Sequence, residues 1–138
     1  MNYLVDTNVI SEFRKTDCND HVRSFVESLA NESLYISAIS LGEIQYGVAK
    51  MEASKKKHEL LVWVSVQLPD WFSERIIPVD SEISFVWGSL RAEHKATLPA
   101  VDSLLAATAL THHLTILTRN EKDFENISGL NYINPWNV

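Results

Sequence analysis

Short apolar runs alternate with longer helical patterns along this 138-residue chain. The runs are rich in Leu, Ile, Val and Tyr and are only a few residues long, which is typical of strands. They lie at residues 3–5, 33–38, 75–79, 114–118 and 130–134. We therefore expect five short strands spread over the whole chain.

Between these runs, apolar residues recur at the i, i+3, i+4 spacing of one helix face. The pattern predicts helices over about 19–31 and 53–69, with the second ending near Pro69. A further helix follows Ser40, which can act as the N-cap with Glu43 in the capping-box position. Two more helices are predicted around 83–90 and from about Pro99 through Thr108.

This βαβα alternation predicts one α/β domain over residues 1–138. Its mostly parallel central sheet is flanked by α-helices on both faces. There are no repeats, linkers or low-complexity tracts to mark a second domain. In open sheets of this kind, ligands bind beyond the carboxyl ends of the strands.

Four acidic residues stand at such positions. Asp6 ends the first strand, Asp123 lies just past the fourth, and Glu43 and Asp102 sit early in predicted helices. Four converging carboxylates would repel one another, and a hard divalent cation such as Mg²⁺ resolves the repulsion with oxygen ligands. A site of this type can activate a water for phosphoester hydrolysis.

Neutral polar side chains near these acids could orient them. The candidates are Asn8, Ser37, Thr118 and Asn120. Taken singly, each acid also has an ordinary structural interpretation. Asp6 suits a turn, Glu43 a capping box, Asp102 the first turn of a helix and Asp123 a loop, so the case depends on the four together.

Composition limits the classes of function. The formal charge is −6, from 18 acidic and 12 basic residues, which disfavours nucleic-acid binding by bulk electrostatics unless the acids surround cations. The single cysteine excludes an internal disulfide and suits a reducing compartment. No apolar run is long enough for a membrane span or a signal peptide, so we expect a soluble, cytoplasmic protein with no membrane partner.

Four segments, in this order, resemble the motifs of the PIN-domain ribonucleases: LVDTNVISE, ISLGEIQYG, LPAVDSLLAATAL and LTILTRNEKDF. The likeness is strongest to the VapC toxins of type II toxin–antitoxin pairs, in their FitB-like branch. It covers nearly the whole chain and implies a PIN-like fold. The family acids map onto Asp6, Glu43, Asp102 and Asp123.

The resemblance implies an Mg²⁺-dependent endoribonuclease, with Mn²⁺ as a possible substitute. Asp6 and Asp102 would be direct metal ligands, and Glu43 would bind metal or help to deprotonate the water. Asp123 would complete the site, since Asn120 stands where many members have Asp; which of the two completes it stays open. Either Ser37 or Ser40 could be the family's small polar residue before the Glu helix.

The resemblance also implies partners: a cognate antitoxin, a second copy in a homodimer, and an RNA substrate such as tRNA. DNA would be bound only through the antitoxin. A groove for the antitoxin or the second copy could form from apolar residues that one core does not bury, although core packing explains them equally. These are Leu41, Ile44, Tyr46, Val48, Leu60, Leu61 and Trp63.

Basic residues near the motifs are candidates for guiding RNA through phosphate contacts. They are Arg14, Lys15, Arg91, Lys95 and Arg119.

Three other functions compete with the ribonuclease hypothesis. LVDTN resembles the opening of haloacid-dehalogenase-like phosphatases, but these have a second Asp where this chain has Asn8. A PIN-like module that binds RNA or protein without catalysis would not need all four acids. An acidic structural protein would leave the acids unclustered.

Overall fold

The computed structural model describes residues 1–95 and 97–138. Its five strands form one parallel sheet in the order β3-β2-β1-β4-β5. The strands are β1 (Tyr3–Val5), β2 (Leu34–Ser37), β3 (Ile76–Ile77), β4 (Thr115–Leu117) and β5 (Tyr132–Ile133). The first strand in sequence is thus the central strand of the sheet. All five predicted strands and the parallel α/β architecture are confirmed.

The described residues form seven α-helices around the sheet. They are α1 (Thr7–Phe13), α2 (Asp20–Ser28), α3 (Ala38–Ala49), α4 (Lys55–Val62), α5 (Leu68–Phe72), α6 (Ser81–Glu93) and α7 (Ala100–His112). A π-helical turn, Trp63–Gln67, joins α4 to α5. None of the described helices has the length and apolar character needed to cross a bilayer.

Alternate residues of the central strands face two separate cores. Val5 and Leu117 pack with the buried residues of α1, α2, α3 and α5 on one face of the sheet. Leu4 and Ile116, the preceding residue in each strand, pack with α6 and α7 on the other. Both faces of the sheet are therefore covered by helices, as the sequence pattern predicts.

The structure corrects three local predictions. The helix α1 was not predicted. Ser37, not Ser40, caps α3, because the Ser37 hydroxyl accepts the N–H of Ile39 at 3.2 Å. The helix predicted to end near Pro69 continues to Phe72. Proline lacks an N–H and its ring clashes with the carbonyl four residues earlier, and the π turn just before it widens the backbone at that point.

Two phenylalanines allow a matched test of this packing. Phe72 is completely buried whereas Phe85 is 79% exposed. We expect Phe72→Ala to lower the free energy of unfolding by about 3–5 kcal/mol, because it leaves a cavity in the core. Phe85→Ala should change it by less than about 0.5 kcal/mol. Urea denaturation of both variants measures these changes, and equal losses would contradict the packing described.

Candidate active site

The Asp6 carboxylate lies between the ends of β1 and β4. The sheet is extended from β1 to β2 and β3 on one side and to β4 and β5 on the other, so the strand order reverses there. Ligands of open parallel sheets bind in the crevice that this reversal creates. Asp6 donates its backbone N–H to the carbonyl of Leu117 at 2.9 Å, which fixes it at the mouth of the crevice.

Asp6 is only 3% exposed, and four donors from three residues surround its carboxylate. Oδ1 accepts the backbone N–H of Thr7 at 2.7 Å and the hydroxyl of Thr7 at 3.4 Å. Oδ2 accepts the hydroxyl of Thr118 at 2.8 Å and Nδ2 of Asn8 at 3.4 Å. Burial raises the pKa of Asp6, and these hydrogen bonds oppose that rise by favouring the charged form.

Asp102 lies in the first turn of α7, which begins directly after Pro99. Its pKa is raised to about 7, first by burial and next by a hydrogen bond with the side chain of Asp123. The charges of Asp6, Asp123 and Glu43 raise it further. The fold thus brings four acids from distant segments into one electrostatic cluster, in which Asp102 is the acid with the most strongly raised pKa.

Glu43 is exposed on α3, the helix that follows β2. Ser37, at the end of β2, caps this helix and makes no hydrogen bond to any of the four acids in the described structure. Ser40 is buried about one turn before Glu43, and its hydroxyl has no hydrogen-bond partner within the described residues. Either serine could match the family's small polar residue. Ser37 caps helix α3, whereas the Ser40 hydroxyl makes no hydrogen bond within the described residues.

Two of the predicted neutral residues, Asn8 and Thr118, contact Asp6 directly. The Thr118 hydroxyl also accepts the backbone N–H of Asn120 at 3.0 Å, while the Asn120 side chain is exposed. Asp123, rather than Asn120, is the residue whose side chain reaches the acid cluster. Thr7 was not predicted, because its contribution is a backbone N–H at the start of the unpredicted helix α1.

The donor set fits a hard cation. The four acids supply only oxygen ligands, and neither of the two ion pairs among the described residues, Lys15–Glu12 and Arg23–Glu27, neutralises any of them. The match lies in the type of ligand atom and not in a preformed coordination geometry. Within residues 1–95 and 97–138, no three His, Cys, Asp or Glu side chains are arranged so that they could hold a metal ion together.

The predicted RNA-guiding residues have different surroundings. Arg14, Arg91 and Arg119 each lie over a tryptophan ring, and Lys15 pairs with Glu12 at 3.3 Å. Lys95 is exposed just after α6 and adopts a positive φ. The structure gives Lys95 no contact with the acid cluster.

A groove of about 400 Å³ runs from Glu43 between α1, α3 and α4. Ile44, Gly47, Val48, Met51, Leu60 and Trp63 supply its apolar wall, and Thr7, Ser11, Arg14 and Lys15 supply its polar wall. Ile44 and Val48 are buried in the core, whereas Tyr46 is exposed and lies outside the groove lining. Among the apolar residues that the sequence singles out, Leu60 and Trp63 line the groove, and Ile44 and Val48 belong both to the groove lining and to the core.

Removing the Thr118 hydroxyl tests whether its hydrogen bond to Asp6 stabilises the folded protein. Thr118→Val would leave a buried carboxylate without its best side-chain donor, and Asn120 N–H without its acceptor. We expect a loss of about 1–3 kcal/mol in the free energy of unfolding. Thr118→Ser keeps the hydroxyl and should recover most of it. Chemical denaturation of both variants makes the comparison, and equal stability of the valine variant and the wild type would refute the role of this bond.

The raised pKa of Asp102 predicts a pH dependence of stability. Between about pH 4 and pH 7 the folded protein retains a proton that the unfolded chain has released, so stability falls as pH rises through this window. Without divalent metal, we expect Asp102→Asn to raise Tm by a few degrees at pH 8 and to change it little at pH 5. Thermal unfolding with a chelator at both pH values measures this. The exposed control Asp17→Asn should show no such difference between the two pH values.

Comparisons with known proteins agree with this geometry. Residues 3–130 match the PIN domain family. The toxin FitB of Neisseria gonorrhoeae is 35% identical over 136 residues, which span 96% of this chain and 97% of FitB. The VapC ribonuclease Y4jK of Sinorhizobium fredii is 32% identical over 136 residues, or 96% of each chain.

Solved structures show the same likeness. FitAcB from Neisseria gonorrhoeae has a TM-score of 0.87 and 34% identity, and the match covers 99% of both chains. A toxin–antitoxin complex from Klebsiella pneumoniae has a TM-score of 0.72 and 27% identity, over 99% of this chain and 100% of the other. The resemblance stated from the sequence motifs is confirmed, and the chain belongs to the PIN domain family.

Proposed function

We propose that this protein is a metal-dependent endoribonuclease and the toxin of a type II toxin–antitoxin pair. The observation that carries the proposal is the meeting of Asp6, Glu43, Asp102 and Asp123 at the β1/β4 crevice. The names of the relatives, a toxin and a VapC ribonuclease, support it. Membership of the PIN domain family argues against the haloacid-dehalogenase-like alternative.

The proposed cation is Mg²⁺, with Mn²⁺ as a substitute. Asp6 and Asp102 would hold it directly, and Asp123 would complete its surroundings. When bound, the cation supplies positive charge to the scissile phosphate and activates a water as the nucleophile. Glu43, the exposed acid of the four, would bind the cation or accept the proton of that water.

The protein itself prepares the carboxylates. Hydrogen bonds from Thr118, Thr7 and Asn8 fix the orientation of Asp6 and favour its charged form against the effect of burial. Asp102 must release its proton before it can bind a cation, because a metal ligand has to be deprotonated. Cation binding and the ionisation of Asp102 are therefore coupled, and affinity for the cation should increase towards neutral and alkaline pH.

The antitoxin and the second copy are the proposed protein partners. The groove beside Glu43 offers an apolar wall for a segment of the cognate antitoxin, and it opens towards the acids that such a segment would block. We also propose a homodimer, an RNA substrate of the structured class that includes tRNA, and activity in the cytoplasm. Contact with DNA would come only through the antitoxin.

RNA cleavage by the purified, antitoxin-free protein tests the proposal. Total RNA would be incubated with Mg²⁺, with Mn²⁺ and with a chelator. We expect cleavage only with a metal, and a loss of about 10³-fold in rate for both Asp6→Asn and Asp102→Asn, since each removes a ligand worth several kcal/mol to the transition state.

Asp70→Asn is the matched control, because Asp70 is an exposed acid on α5 outside the cluster. It should cleave at the wild-type rate. Folded, metal-loaded protein that leaves varied RNAs intact would favour the non-catalytic binding module. Cleavage by Asp6→Asn at the wild-type rate would overturn the assignment of the site.

A further inference from the structure

The five arginines of the chain fall into two structural groups. Arg23 and Arg75 each lie over a phenylalanine and use their guanidinium groups to hold the fold together. Arg75 donates to backbone carbonyls of three different segments. Arg23 donates to the carbonyl of Lys15 and pairs with Glu27.

The other three arginines each lie over a tryptophan. The guanidinium carbon is 5.3 Å from the ring centre in Arg14–Trp63 and 4.8 Å in both Arg91–Trp87 and Arg119–Trp136. Within the described residues, these guanidinium groups make neither a hydrogen bond nor an ion pair. Arg119 is close enough to Glu12 to contribute to the lowered pKa of that carboxyl, after the hydrogen bonds from Asn19 and Lys15. The N–H donors of all three guanidinium groups remain available for a ligand.

A position over an indole ring is compatible with guanidinium N–H groups that have no partner. The ring attracts the cation through its face, while the guanidinium N–H groups point outward in the guanidinium plane. That plane is the one that binds a phosphate through two parallel hydrogen bonds. A protein with a charge of −6 and four clustered acids repels RNA in general, so local, unpaired cations are needed to seat a phosphate near the acids.

Arg119 is the member of this group that is tied to the acid site. It follows Thr118, the hydroxyl donor to Asp6, and its own backbone N–H donates to Oδ1 of Asn8 at 3.2 Å. Asn8 in turn reaches Asp6 with Nδ2. Two short hydrogen-bonded paths therefore fix the backbone of Arg119 relative to the central carboxylate.

Trp136 is itself anchored. Its backbone N–H donates to Oδ1 of Asn134 at 2.9 Å, and Nδ2 of Asn134 donates to Glu121 at 3.0 Å. Trp136 also packs against the core on the face of the sheet that carries α1 and α2. The indole is thus a fixed surface on which the long Arg119 side chain rests.

We propose that Arg119 is a phosphate-binding residue for RNA and that Trp136 is its positioning residue. Arg119 binds a backbone phosphate of the RNA next to the one that is hydrolysed. It thereby sets the position of the RNA relative to the four acids. This inference rests on the proposed ribonuclease function and adds the residue pair that seats the substrate.

The experiment measures RNA binding separately from cleavage. A 5′-fluorescein-labelled single-stranded RNA of 20 nucleotides and mixed sequence is titrated with Asp102→Asn protein in Mg²⁺, over a range of salt concentrations. Adding Arg119→Gln should weaken binding about tenfold and make the salt slope shallower by about 0.7, the value of one lost phosphate contact with a single strand. Arg23→Gln, in the same background, is the control that should leave the salt slope unchanged.

Two further variants separate positioning from bulk structure. Arg119→Lys should keep the salt slope and lose affinity a few-fold, because it keeps the charge but not the paired donors. Trp136→Leu should lose part of the affinity, and adding Arg119→Gln to it should cost less than in the presence of the indole. With Asp102 intact, Arg119→Gln should raise KM for cleaved RNA and leave kcat within about threefold.

The outcomes distinguish this inference from the proposed function. If the protein cleaves RNA with the expected dependence on acids and metal, but Arg119→Gln leaves KM, affinity and salt slope unchanged, the inference alone is wrong. If the wild type neither cleaves nor binds RNA, the proposed function fails and the inference with it. Full additivity of the Arg119 and Trp136 substitutions would refute the positioning role of the indole.

Discussion

The buried carboxylate of Asp6 is the constraint on which the rest of this structure depends. Burying a charge is unfavourable unless hydrogen bonds replace its hydration. Here the bonds come from the start of α1 and from Thr118 directly after β4, and both favour the charged form of Asp6. The parallel pairing of β1 with β4 therefore supports the site as well as the sheet.

Around that carboxylate, the chain keeps opposite charges apart. Burial and then the neighbouring acids raise the pKa of Asp102, and no basic side chain of the described residues pairs with these acids. The nearby arginines rest on aromatic rings and not on these acids. A direct ion pair would be more stable locally, but it would consume both the oxygen ligands for a cation and the donors for a phosphate.

Much of this could be predicted from the sequence, for identifiable reasons. The strands and the amphipathic helix α2 have clear periodicity, and the motifs single out four acids that interact electrostatically in the fold. The helix α1 has only seven residues and its buried positions, Val9 and Ile10, are adjacent, so no helical repeat reveals it. The π turn before Pro69 and the cap at Ser37 depend on backbone geometry. Arg119 and Trp136 meet only because β4 and β5 are neighbours in the sheet.

The placement of the first strand at the centre of the sheet has a consequence for biosynthesis. Asp6 is synthesised before its partner Thr118, which lies 112 residues later in the chain. Contacts between such distant residues form slowly, because a long loop must close first. Until residue 118 has been made, a nascent chain therefore carries this acid without the hydroxyl that supports it. The order of synthesis thus delays the chemistry that we propose until β4 and Thr118 can pair with β1 and Asp6.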